Sequence, residues 1–152
     1  MTTPSTWNHA TAVPYPGAAF VLEADDARFL AEVGMLAAGR GDVPHADAIF
    51  DALRRLRPQR AYPLVGLAVA RLNAGHAEDA VRLLETVALS DPEEHAVVRA
   101  WYGLALQLAG RNAESARVLT EAAVLPGDGG LLARQMLGQV EEQPIMIDQG
   151  AQ

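Results

Sequence analysis

The stretch "AGRGDVPHADAIFDALRRLRP" occupies residues 38–58, "AGHAEDAVRLLETVALSDP" residues 74–92 and "AGRNAESARVLTEAAVLP" residues 109–126. Set one above another, they share columns at a near-constant period. Pro58, Pro92 and Pro126 are 34 residues apart. Gly41, Gly75 and Gly110 are separated by 34 and then 35 residues, and the same steps relate Ala46, Ala80 and Ser115. Phe50, Leu84 and Leu119 keep the rhythm, as do Leu53, Val87 and Ala122. Self-similarity at such a period marks a supersecondary unit that buries its apolar face only by stacking on copies of itself.

Each unit reads as two helices. The first pair is predicted over 25–39 and 43–56, the second over 62–74 and 77–89, the third over 93–109 and 112–124. Gly41, Gly75 and Gly110 fall at the junctions within the pairs, where a helix end readily takes positive φ. Small Ala46, Ala80 and Ser115 let the second helix approach the first. The prolines stop the second helix or open the next one. "SDPE" at 90–93 has the form of a capping box. After a polar turn, "LPGDGG" at 125–130, Leu132, Met136 and Val140 make an amphipathic stripe. That stripe predicts a capping helix over 131–142 covering the last repeat. Residues 1–22 and 143–152 carry no helical period and are expected to be a flexible arm and tail around a domain at 23–142.

These residues resemble the tetratricopeptide repeat, a 34-residue helix-turn-helix unit with small residues, one large residue and a proline at set places. The first unit (27–60) supplies Gly34, Ala46, Phe50 and Pro58, and the second (61–94) Ala68, Ala80, Leu84 and Pro92. The third (95–128) supplies Gly103, Ser115, Leu119 and Ala122. Leu53 and Val87 depart from the family's small residue, and Leu30 and Leu64 stand where its tryptophan would. The resemblance implies an all-α fold: three repeats and a C-terminal cap in a short right-handed superhelix. It also implies that the first helix of each pair lines a concave groove, with Met35, Tyr62, Val65, Val69, Leu72, Asn73, Leu104 and Leu108 facing a partner.

Composition narrows the function. Half the residues are apolar and 5% aromatic, so the core is built from Ala, Leu and Val, a helical palette. The formal charge is −7, and all 12 basic residues are arginines. An acidic chain without a basic cluster is a poor match to nucleic acid or an anionic membrane. The densest positive run, "RRLRPQR" at 54–60, reads as a solvated helix end that complements the dipole. There is no cysteine, which excludes disulfide and thiolate chemistry. The first basic residue is Arg28, so the start lacks the charged region of a secretory signal, and no apolar run approaches the roughly 20 residues of a membrane span. A cytoplasmic protein is expected. His9, His45, His76 and His95 show no metal-ligand spacing, and no phosphate-binding loop is present. No cofactor, metal or enzymatic activity is expected.

The repeat pattern also puts Arg28 and Ala31 at groove positions; as a set the positions are mostly apolar, with one arginine and one asparagine, so a multi-point carboxylate clamp is not expected. They suit an amphipathic helix or an extended segment with apolar anchors. The same positions would equally serve the N-terminal arm, with its Trp7, Tyr15 and Phe20, or a second copy in a homodimer. The stretch "GMLAAGRGDVPHADAIFDALRRLRPQRAYPLVGLAVARLNAGHAEDAVRLLE" (34–85) resembles the small tetratricopeptide chaperones of bacterial type III secretion systems. That resemblance implies a chaperone or adaptor whose partner is an apolar segment of a secretion component. A constitutive assembly scaffold and a self-associating structural protein are the alternatives.

Overall fold

Gly41, Gly75 and Gly110 take positive φ of 68°, 79° and 80°, and each follows the first helix of a pair. At every one of these ends the next N–H reaches back five residues. Asp42 donates to the Ala37 carbonyl at 3.0 Å, His76 to that of Arg71 at 2.8 Å, and Arg111 to that of Leu106 at 2.8 Å. This closure satisfies carbonyls the helix leaves unpaired, and glycine adopts it without a Cβ clash. The chain turns back at once into the second helix.

The computed structural model describes residues 22–139, which form seven helices and no strand. They are α1 (Ala24–Gly39), α2 (Val43–Leu56), α3 (Tyr62–Asn73), α4 (Ala77–Glu85), α5 (Pro92–Leu108), α6 (Asn112–Ala123) and α7 (Gly127–Met136). Residues 1–21 of the expected arm, the whole of the expected tail at 143–152, and Val140 lie outside the described residues. Helices α1, α3, α5 and α7 touch in succession, and each of α2, α4 and α6 packs between two of them.

Small residues set the spacing. Phe50 of α2 is fully buried between Gly34 of α1 and Gly66 of α3. A Cβ on Gly66 would lie 2.2 Å from the Phe50 ring, and one on Gly34 2.8 Å from it. Leu119 of α6 meets Gly103 of α5 in the same way, 2.4 Å from a Cβ placed there. Ala46, Ala80 and Ser115 are all buried, as their columns predicted, and the Ser115 hydroxyl donates to the Gly103 carbonyl at 2.7 Å. In the middle of the stack Leu84 closes on Ala68 and Ala80, with Val98, Tyr102 and Leu106 from α5.

Three local expectations are corrected. Helix α4 ends at Glu85 rather than at 89: Thr86, at φ −101° and ψ 3°, leaves the helix in a tightened turn where the Val87 N–H donates to the Leu84 carbonyl at 3.3 Å, and Val87 and Leu89 then pack on the core from the connection. The cap of α5 is Asp91, not Ser90. Pro92 at the first helical position leaves the preceding residue extended, and the Asp91 carboxylate accepts from the Glu93 and Glu94 N–H groups at 2.8 and 3.1 Å. The capping helix expected over 131–142 runs instead over Gly127–Met136. "PGDGG" is its entry and first turn: a Cβ on Gly129 would come within 2.2 Å of the α5 backbone at Ala96 and Val97, so α7 lies directly on α5. Gly138, at φ 72°, then ends the helix, with the Gln139 N–H returning to the Arg134 carbonyl at 2.8 Å. Leu132 and Met136 rest on Ala100, Leu119 and Ala122 as the stripe predicted.

Candidate partner-binding groove

The eight groove positions fall on α1, α3 and α5, three helices in contact in that order. They are not equivalent. Met35 and Leu108 stand 40% and 59% exposed. Val65 and Leu104 are half-buried. Tyr62 and Val69 are half-buried against the Phe50 cluster, and Leu72 against the Leu84 cluster. Asn73 is engaged within the fold. Its Nδ2 donates to the Ala38 carbonyl at 3.0 Å, tying the end of α3 to the end of α1.

Polar bonds between elements hold these helices in place. The Arg71 guanidinium grips both oxygens of Asp47 at 2.8 and 3.1 Å, joining α3 to α2. Arg111 binds Glu114 at 2.7 Å and Glu78 at 3.4 Å, joining α6 to α4. The Arg111 guanidinium holds the Glu114 carboxyl below the usual carboxylate range. His45 binds the α2 cap Asp42 at 2.7 Å and lowers that carboxyl in turn. It is part of a helix cap.

A cleft of about 460 Å³ opens between α1 and the start of α3. Ala27 and Ala31 line it together with Tyr62, and three arginines converge on it: Arg28 from α1, and Arg57 and Arg60 from the α2–α3 connection. The Arg60 N–H donates to the Arg57 carbonyl at 3.1 Å, so both side chains leave one closed turn. That turn is anchored by Gln59, whose Oε1 accepts from the Ser90 N–H at 3.0 Å. Arg60 is held at 3.1 Å by Glu94, which also accepts from the Ala61 N–H at 2.6 Å. Arg28 forms an exposed pair with Glu32 at 3.2 Å. Arg57 donates to the Leu22 carbonyl at 3.3 Å and has no carboxylate partner among the described residues. The sequence pointed to Arg57 and Arg60 only through "RRLRPQR", and their meeting with Arg28 is a property of the fold.

A second apolar surface lies apart from the groove. Phe29, Val33 and Leu36, at i, i+4 and i+7 on α1, are exposed, with Phe29 and Leu36 each at 64%. Among the described residues no group of three or more His, Asp or Glu is placed to hold a metal, and no helix is long and apolar enough to cross a membrane.

No curated protein and no solved structure matches the chain. The family described as bacterial type III secretion protein (HrpB1_HrpK) matches over residues 23–141, a span that takes in all seven helices and the eight candidate groove positions. The chain belongs to this family of type III secretion proteins.

Proposed function

We propose that the seven helices stack as three tetratricopeptide units and a cap, and that the face formed by α1, α3 and α5 holds an apolar segment of another secretion component, as a chaperone or adaptor. The observation that carries this reading is the incomplete burial of Met35, Val65, Leu104 and Leu108 on three successively touching helices. Full burial of an exposed aliphatic side chain gains roughly 1.5–3 kcal/mol, so one left half in water gains about half of that when a partner covers it, before ordering costs. Membership of a type III secretion family supplies the setting.

The test is affinity capture from the native host with wild type, Met35→Glu and Leu108→Glu. These positions are exposed enough to take a charge without unfolding, which circular dichroism verifies. A secretion component held by wild type and lost in both variants supports the reading. Equal capture by all three proteins would overturn it. The exposed row of Phe29, Val33 and Leu36 favours a second reading, a self-associating structural role. In that case the wild-type protein sediments as an oligomer and Leu36→Ser returns it to a monomer.

A further inference from the structure

We infer that the cleft between α1 and α3 is a receptor for a carboxylate group borne by a peptide segment, with Arg57 as its principal ligand and Arg28 and Arg60 as supporting cations. The choice of a peptide rests on the groove reading above, since Arg28, Ala31 and Tyr62 lie at groove positions on α1 and α3.

Charge favours an anion here. The chain as a whole carries −7, yet three guanidinium groups meet at this one cleft. Two of them have carboxylate partners: Glu32 on Arg28, and Glu94 on Arg60. Among the described residues Arg57 has only the Leu22 carbonyl, so its positive charge has no ion-pair partner there. A guanidinium offers five N–H donors in a planar fork, and one neutral acceptor leaves most of them unused. Both oxygens of a carboxylate fit that fork and form charge-assisted bonds about twice as strong as neutral ones.

The cleft is also preorganised. The turn that carries Arg57 and Arg60 is closed by its own backbone bond and pinned to Ser90 through Gln59, and Arg60 is fixed by Glu94. Little ordering remains to be done when an anion arrives. Arg28 differs, because its bond to Glu32 is a solvated surface pair of small worth and is readily exchanged for a better partner.

The lining selects among anions. Ala27, Ala31 and Tyr62 give the cleft an apolar side, which suits the carbon stem of an acidic side chain better than a fully hydrated inorganic ion. Residues 1–21 contain neither Asp nor Glu. The acid is expected from a separate peptide segment; Glu141, Glu142 or Asp148 of the chain itself would already hold the cleft and leave the glutamate peptide without effect.

The experiment titrates the full-length protein with two peptides, N-acetyl-leucyl-glutamate amide and its glutamine counterpart, while the arginine Nε–H signals are followed by NMR. The glutamate peptide is expected to shift the Arg28, Arg57 and Arg60 signals saturably, and the glutamine peptide to leave them in place. Arg57→Gln and Arg60→Gln should each weaken binding by about tenfold, the loss of one charge-assisted bond. Arg54→Gln, in the same basic run but outside the cleft, should bind as wild type. Equal shifts with both peptides, or wild-type affinity in Arg57→Gln and Arg60→Gln, would overturn the inference. The groove reading fails separately: Met35→Glu and Leu108→Glu would then capture partners like wild type while the glutamate titration stayed intact.

Discussion

The two ends of the helix stack are finished in opposite ways. At the C-terminal end α7 lies on α5 and α6, with Gly129, Gly130 and Ala133 buried at the contact. At the N-terminal end of the described residues α1 turns Phe29, Leu30, Val33 and Leu36 outward. The closed end is sealed by its smallest residues, because glycine lets two helix backbones touch, whereas the open end carries some of the largest. Closure in this molecule is a matter of distance between backbones rather than of apolar bulk.

That contrast can be broken or sharpened at graded cost. The largest effect is expected inside the open end. Phe50→Ala empties the wedge between Gly34 and Gly66 and should cost about 4 kcal/mol in urea unfolding. A small loss would mean that α1 is held loosely there. At the closed end, Gly129→Ala places a methyl group against the α5 backbone and should cost about 3 kcal/mol, because neither backbone can yield without lifting α7. A neutral result would show that α7 docks less closely than described. Ser115→Ala, between the two ends, removes the buried bond to the Gly103 carbonyl and should cost about 1 kcal/mol. Leu36→Ser, on the outer face of α1, should change unfolding of the isolated chain by less than about 0.5 kcal/mol. A much larger loss would mean that this face is covered in solution.

Legibility from sequence followed the same divide between periodic and unique features. The recurrence of Gly41, Gly75 and Gly110 placed the junctions of all three pairs, because one backbone closure repeats at each. The prolines and the Phe50, Leu84 and Leu119 column placed the helices that follow. Gly127, Gly129 and Gly130 occur once, and glycine in a polar run reads as a breaker. Nothing in "LPGDGG" announces that the approach of α5 is what calls for glycine at Gly129. The proposed groove follows from a helical pattern of positions, and that pattern does not carry their exposures. Val69 and Leu72 look like Met35 and Leu108 in a helical pattern, yet the first two rest on core clusters and the others project. The cleft was the least legible feature, since Arg28 and Arg57 meet only once α1 and α2 have folded back on each other.

The neighbour-only contacts of these helices carry a consequence for how the chain folds. No helix touches one more than two elements away, so α1 and α7 share no contact. Loops closed between such neighbours are short, which favours fast folding, and the stack can begin at any pair and grow outward. Unfolding is then expected to proceed as fraying from a terminus. Amide hydrogen exchange should be slowest in α3 and α5, which are flanked on both sides, and faster in α1 and α7, which have neighbours on one side only.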